Sequence, residues 1–353
     1  MRETEKPIYS ICVPTYKRKD QIERLLKLFS GICGGEGNLN KKVEICISDN
    51  NETDDTEAVV RRYMAERFLN IQYHRWGKNV GYDRNAMKAV SLASGAFLHL
   101  VSDEVSFTQD GLVEILDSLK KSGIDGIYLD PRGKGPLVPK QIRRKLFSLT
   151  GVANYYLTFM GTLIMRREIC QEFLKQHEED IGRYEGNAFI HIPFFLYFLE
   201  KAERVGFSRI RIDSGKQAVI RPAQKARLYL DHHFMLMKEC AATGLLTREE
   251  YSRYKRNTLI ALPFLMLKIR VYMPPKIYDS EIEDVLREVS TPAPEYGFIG
   301  RTWFSIWKIA IFNRIIPYHW IYLAWFWFKT KVRKDPAAVD LFKEYEKSDK
   351  EAE

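Results

Sequence analysis

The sequence predicts an α/β fold: a mostly parallel central sheet flanked by helices, followed by a helical, aromatic-rich C-terminal region. Three observations carry this. Short β-rich apolar runs alternate with amphipathic helical spacing through the first 130 residues, and strict alternation implies βαβ units. The apolar runs close on polar clusters, as strands do at the rim of a sheet. The chain has 353 residues, of which 45% are hydrophobic and 29% charged. That is enough apolar material for a sizeable core and more chain than one ordinary domain needs.

Taken in order, Tyr9–Val13 reads as the first strand and closes at Pro14. Asp20–Phe29 has helical spacing through Ile22, Leu25, Leu26 and Phe29. Val43–Ser48 is a second strand, closing at Asp49-Asn50-Asn51, and Asp54 can cap a helix that runs to Glu66. Ile71–His74 is a third strand and Asp83–Ala93 a helix. Ala96–Val101, Gln109–Lys121 and Gly126–Leu129 continue the pattern as strand, helix and strand. Residues 131–150 combine Gly and Pro with six basic residues and read as a basic loop. Phe189–Val205 is a strongly apolar helix candidate, and residues 227–270 are mainly helical in pattern. No internal repeat is present.

Several classes are excluded. Five cysteines, an odd number without a C-x-x-C, argue against a disulfide framework or a cysteine zinc site, and Cys12 and Cys46 read as small core residues. No glycine-rich phosphate cradle follows a strand, which argues against a dinucleotide-binding or P-loop site. The charged N-terminus lacks the apolar stretch of a signal peptide, and no run reaches the ~18 apolar residues of a membrane span. The expected location is therefore cytoplasmic. The net charge of +9 suggests an anionic partner without naming it.

Residues 296–334 differ from the rest. Five of the six tryptophans lie there (Trp303, Trp307, Trp320, Trp325, Trp327), among seven basic residues and no acidic one. Tryptophan-rich apolar segments edged by Lys and Arg suit the lipid headgroup zone, so this segment is expected to lie in the membrane interface. The cluster lacks a recognisable nucleic-acid-binding fold, and nucleic acid is not an expected partner.

Five stretches in order carry a family resemblance: Ser10-Ile-Cys-Val-Pro-Thr-Tyr16, Val43-Glu-Ile-Cys-Ile-Ser-Asp-Asn50, Asn79-Val-Gly-Tyr-Asp-Arg-Asn85, Ser94-Gly-Ala-Phe97 and Leu100-Val-Ser-Asp-Glu104. Together the chain resembles the family 2 glycosyltransferases of GT-A fold, in the abequosyltransferase-like branch of bacterial surface-polysaccharide enzymes. The resemblance covers residues 8–130 and extends faintly to about 215. It implies that Pro14, Thr15, Tyr16 and Asp49 hold the nucleoside of a nucleotide-sugar donor. Asp49-Asn50-Asn51 is also an ordinary turn sequence. Asn79, Gly81, Asp83, Arg84 and Asn85 fall at a helix start on the donor side. Asp83 can serve there as the helix N-cap as well, and Arg84 as a phosphate partner or a plain surface cation.

Divalent cations such as Mn²⁺ or Mg²⁺ prefer carboxylate oxygens. The family's aspartate-rich metal motif corresponds to Ser102-Asp103-Glu104-Val105, which places Glu104 as the main ligand with Asp103 beside it. Ser102 and Val105 stand where many relatives carry acids. The family's base lies on a helix after the acceptor-side loop, here Tyr184-Glu-Gly-Asn-Ala-Phe-Ile-His-Ile-Pro193. The expected acidic pair is missing. His191 takes about that place, as a base, a metal ligand or a core histidine, and Glu185 is the nearest carboxylate.

The resemblance thus implies an inverting transferase that moves a sugar from a UDP-sugar to a hydroxyl of a glycan, carried on a polyprenyl diphosphate at the inner membrane face. The alternatives are a non-catalytic nucleotide-sugar-binding protein and a sugar nucleotidyltransferase. The expected organisation is a catalytic domain over 1–225, with a donor half at 8–130 and an acceptor half at 131–225. A helical extension at 226–295, the interface segment at 296–334 and a charged tail at 335–353 follow.

Overall fold

β1 (Tyr9–Thr15) and β2 (Val43–Asp49) are buried along their whole lengths, the pattern of strands covered on both faces of a parallel sheet. The computed structural model describes residues 6–34, 39–129 apart from 52, 67 and 122, 160–208, 228, 232–256 and 258, with 297, 298, 302 and 305 near the C-terminus. β1 and β2 pair in parallel from Tyr9 opposite Val43 to Thr15 opposite Asp49. β3 (Asn70–Arg75) extends this on the far side of β2, and β4 (Phe97–Leu100) pairs with the other edge of β1, both in parallel. With β5 (Gly126–Leu129), β6 (Leu163–Arg166) and β7 (Val205–Ser208), the described residues form a seven-stranded sheet in the order β3-β2-β1-β4-β6-β5-β7. β6 runs antiparallel to both of its neighbours, and β5 pairs in parallel with β7.

The helices follow the sequence pattern closely. α1 (Lys19–Cys33) buries Ile22, Leu25, Leu26, Phe29, Ile32 and Cys33, one apolar stripe at helical spacing. A short α2 (Leu39–Lys42) leads into β2. α3 (Thr56–Glu66) starts two residues after Asp54, whose Oδ1 accepts the Thr56 N–H at 3.0 Å. α4 (Tyr82–Ser91) follows β3, and α5 (Gln109–Leu119) is capped by the Thr108 hydroxyl, which accepts the Gly111 N–H. Beyond β6 come α6 (Arg167–Gln176), α7 (Ile181–Tyr184), α8 (His191–Lys201) and, after β7, α9 (His233–Ala242). All five cysteines are buried free thiols.

Two expectations need correction, and one strand was not foreseen. β1 does not close at Pro14 but runs to Thr15. β4 pairs with β1 only as far as Cys12, so the proline lies past that ladder, where its missing N–H is not needed. The apolar run 189–205 is not one helix. It breaks at Ala202, because the Asp125 carboxylate accepts the Glu203 and Arg204 N–H groups and the Asp125 N–H bonds the Arg204 carbonyl, drawing the chain into β7. β6 carried no strand signal that set it apart from the mixed pattern around it. The basic loop 131–150, the interface segment apart from four residues, and the charged tail lie outside the described residues.

The chain divides into two compact units. One comprises Met1–Leu149, Asn154–Ala218 and Lys238–Arg248, and the other Thr150–Ala153, Val219–Met237 and Glu249–Glu353. The first contains the sheet. In the second, His233 bonds the Tyr254 hydroxyl at 3.0 Å and Phe234 packs against Tyr251 and Tyr254. Among the described residues no helix is long and apolar enough to cross a membrane.

Two buried polar groups tie the sheet together at its N-terminal side and centre. Glu44 of β2 accepts the Ser10 hydroxyl at 2.5 Å, the Ser94 N–H and hydroxyl at 2.5 and 2.7 Å, and the Gly95 N–H at 2.9 Å. A Cβ at Gly95 would lie 2.5 Å from the Ser10 hydroxyl, so glycine is needed for this approach. His99 of β4 lies between the Tyr9 hydroxyl at 2.6 Å and the Gly161 carbonyl at 2.9 Å. A carbonyl only accepts, so Nε2 carries the proton and Nδ1 accepts from Tyr9.

Glu44→Ala leaves four donors facing a cavity and is expected to destabilise the fold by on the order of 4 kcal/mol, read by urea unfolding. Burial lowers the His99 pKa from 6.5 to about 4. The unfolded chain therefore takes up this proton first. The stability His99 confers is complete above pH ~6.5 and is lost as pH falls from there through about 4, a change of roughly 3 kcal/mol. His99→Gln should flatten the dependence of the urea midpoint on pH across that window, and an unaltered slope would refute the assignment.

Candidate active site

β2 and β3 lie on one side of β1 and β4 on the other. The direction of chain winding reverses between β1 and β4, and in open α/β sheets ligands bind at such a point, beyond the strand ends. Residues that close these strands meet there. The Thr15 hydroxyl donates to Asp103 Oδ2 at 2.9 Å, linking the end of β1 to the turn after β4. Pro14 is buried in β1, and Tyr16 lies exposed just past its end with Lys17 over its ring.

Asp49 is 1% exposed, further inside the rim than a turn residue would lie. Oδ2 accepts the Tyr73 hydroxyl at 2.8 Å and Oδ1 accepts the Asn51 N–H at 3.1 Å. Burial pushes its carboxyl pKa up, against the pull of Tyr73. A carboxylate offers about four acceptor sites, so capacity for a ligand N–H remains. Asn50 joins this corner to the segment before α4: its Nδ2 donates to Asn79 Oδ1 at 2.7 Å, and its Oδ1 accepts the Val80 N–H at 2.7 Å.

Asp103 and Glu104 share one cation. Arg18 Nε stands 3.4 Å from Asp103 Oδ2, and its terminal nitrogen bonds Glu104 Oε1. Burial raises the Asp103 pKa, with Arg18 and Thr15 opposing it. Two adjacent carboxylates at a strand end are the oxygen set that a hard divalent cation takes together with ligand phosphates and water. They fit such an ion, in competition with Arg18. Among the described residues no group of three or more His, Cys, Asp and Glu side chains forms a fuller cage.

The α4 side is organised differently from expectation. Gly81, at φ +85°, is the N-cap of α4, so Asp83 does not cap the helix. The Asp83 side chain is buried and reaches the segment between α7 and α8. Oδ2 accepts the Asn187 and Ala188 N–H groups, both at 3.1 Å, and Oδ1 accepts the Ile190 N–H at 3.2 Å. Burial raises its pKa and these bonds oppose the rise. Arg84 pairs with Glu185 at 2.8 Å, with side chains 59% and 21% exposed respectively. Asn85 is buried: its Nδ2 donates to the Thr15 carbonyl at 3.0 Å and its Oδ1 accepts the Ser48 hydroxyl at 2.7 Å. His191 opens α8 at 3% exposure, with its ring near Phe189 and Phe195. Of the two acceptor-side candidates, Glu185 is the more accessible.

The structure thus brings Thr15, Asp103 and Glu104 together, sets Asp49 with Asn79 and Gly81 through Asn50, and ties Asp83 and Arg84 to the segment that carries Glu185 and His191. Sequence reasoning missed Arg18, Asn50, Tyr73 and Trp76. Trp76 donates from Nε1 to Ser48 Oγ at 3.2 Å and from its backbone N–H to the Asp49 carbonyl at 3.0 Å. Arg18 had a signal, the arginine of the Lys17-Arg18-Lys19 run that follows a strand-end motif. Tyr73 had its place in β3, one strand over from Asp49.

The model of the family described as Glycosyl transferase family 2 matches residues 10–206. An abequosyltransferase of Salmonella typhimurium is 36% identical over 125 residues, which cover 35% of this chain and 36% of that protein. A Campylobacter jejuni protein named GalNAc(5)-diNAcBac-PP-undecaprenol beta-1,3-glucosyltransferase is 23% identical over 220 residues, covering 56% of this chain and 67% of that one. The alignment therefore spans little more than a third of the first relative. Among solved structures, a mannosyltransferase of Pyrobaculum calidifontis in complex with GDP-Man and Mn²⁺ is similar in fold, with a TM-score of 0.50 at 14% identity over 88% of this chain and 87% of that one. The family match runs from β1 into β7, takes in the whole polar rim and covers more than half of the sequence: the chain belongs to glycosyl transferase family 2.

Proposed function

We propose that the chain transfers a sugar, with inversion, from a nucleoside-diphosphate sugar to a hydroxyl of a glycan in bacterial surface-polysaccharide synthesis. The observation that carries this is the meeting of Thr15, Arg18, Asp103 and Glu104 at the point where the sheet's winding reverses, one strand away from Asp49. In this reading Asp49 accepts an N–H of the base, and Pro14, Thr15 and Tyr16 line the nucleoside. Asp103 and Glu104 hold a divalent cation, Mn²⁺ or Mg²⁺. When bound, such a cation neutralises charge developing on the departing diphosphate. The acceptor oxygen attacks the anomeric carbon as the bond from that carbon to the diphosphate oxygen breaks and the diphosphate leaves with the bonding pair, and Glu185, its carboxylate oriented by Arg84, takes the hydroxyl proton. His191 packs behind this segment.

A UDP-sugar is the expected donor. The glucosyltransferase relative's name gives an undecaprenol diphosphate-linked glycan, which supports a polyprenyl-linked acceptor here. Residues 296–334 then hold the protein at the inner membrane face, through tryptophans at headgroup depth and basic residues worth about 1 kcal/mol each near an anionic leaflet.

A panel of UDP- and GDP-sugars, assayed for nucleotide release with and without Mn²⁺ or Mg²⁺, tests the proposal. Metal-dependent release from one donor is expected. Tight binding with no release would instead identify a non-catalytic sugar-nucleotide binder. Glu104→Ala should lower the metal-dependent release at least about 100-fold without loss of fold, because the side chain is half-buried at a turn and contributes charge rather than packing. Asp49→Asn keeps the shape and can still accept from Tyr73. It should weaken nucleotide binding roughly 10- to 100-fold by calorimetry, as expected for one charge-assisted hydrogen bond of ~1.5–3 kcal/mol. Unchanged affinity would remove Asp49 from the nucleoside site.

A further inference from the structure

Asp83 and Arg84 are consecutive residues in the first turn of α4, and both side chains are committed to one segment more than a hundred residues later. Asp83 receives three backbone N–H groups, from Asn187, Ala188 and Ile190, at 3.1–3.2 Å. Arg84 holds Glu185 at 2.8 Å. Between these anchors the chain adopts two left-handed residues, Gly186 at φ +81° and Ala188 at φ +60°. For an alanine that conformation is uncommon and disfavoured, and it persists only where surrounding bonds over-determine it. The Asn187 side chain closes the turn from inside by donating to the Tyr184 and Glu185 carbonyls at 3.3 and 3.2 Å.

A buried carboxylate that collects several N–H groups fixes backbone and has little other use for its charge. From this we infer that Asp83 is a positioning residue: it clamps residues 186–190 so that Glu185 at one end and His191 at the other are held at the acceptor side of the site. It is not a ligand of the donor. The assignment rests on the transferase reading for its functional consequence and on the hydrogen bonds alone for its structural one. Misplacing a proton acceptor by even an ångström slows chemistry while leaving donor binding untouched, so the clamp acts on turnover.

The test combines amide hydrogen exchange with UDP binding in the presence of Mn²⁺, on the full chain and on Asp83→Asn, which cannot accept at both oxygens. In the wild type the amides of 187, 188 and 190 should exchange at least ten times more slowly than those of exposed loops. In Asp83→Asn that protection should fall about tenfold or more, with UDP affinity within twofold. With the donor selected by the nucleotide-release panel, kcat should drop at least tenfold at unchanged donor KM. The double variant Asp83→Asn/Glu185→Gln should lose little beyond the larger single loss, because both act through the same proton acceptor. A tenfold loss of UDP affinity with exchange at 186–190 unaltered would overturn the clamp and make Asp83 a donor ligand. Should Asp83→Asn fail to fold, wild-type exchange decides: amides at 187, 188 and 190 as fast as exposed loops overturn the inference, and protected ones support it. Absence of nucleotide binding and release by the wild type would sink the transferase reading, while the exchange result would still decide the clamp.

Discussion

The buried carboxylate of Glu44 is the constraint on which the positions of the polar rim depend. It binds β1 through Ser10 and the entry to β4 through Ser94 and Gly95, and it sits on β2 itself. Three strands are thereby pinned at one end. Side chains alternate along a strand, so a slip of one residue would turn every rim group to the wrong face. With Ser10 fixed beside Glu44, Thr15 arrives opposite Asp49, and the end of β4 delivers Asp103 to the Thr15 hydroxyl. The geometry of the polar rim is thus set at the opposite end of the sheet from the rim itself.

At the rim, each candidate carboxylate is already engaged by the protein: Asp49 by Tyr73 and Asn51, Asp103 by Thr15 and Arg18, Glu104 by Arg18, Glu185 by Arg84. These partners hold the acids in place, and at Asp49 and Asp103 they oppose the rise in pKa that burial causes. Arg18 is the partner with most consequence, because it satisfies the acidic pair that a divalent cation would use. Entry of a metal and a diphosphate would release the guanidinium to an anion, its other natural partner.

Much of this was legible in the sequence. The alternation of apolar runs gave five strands and three helices of residues 8–130 within two residues, while the first helix runs four residues past Phe29 to Cys33 and the short α2 carried no signal. The rim acids were legible because strand ends and family motifs coincide. The elements after β5 were not. β6 is short and antiparallel, and its pairing with β4 and β5 is settled by contacts across the sheet rather than by its own four residues. The break of the 189–205 run depends on Asp125, distant in sequence, and no local periodicity reveals it. Asp83 illustrates the same limit. Its position at a helix start pointed to a cap or a ligand, and only the fold shows its oxygens turned towards residues 187–190.

That the 186–190 segment is gripped by its main chain has a bearing on how the protein can diverge. Amide N–H groups are common to every residue except proline, so the grip does not depend on which side chains the segment carries. Asn187, which closes the turn, is tied to its place, Ala188 at φ +60° excludes bulky or β-branched side chains, and Ile190 is fully buried, so packing and backbone conformation set the limits there while the anchor itself sets none. Within those limits, substitutions here can leave the backbone geometry of the segment in place. An anchor made on the main chain separates the inheritance of a backbone path from the chemical identity of the side chains along it.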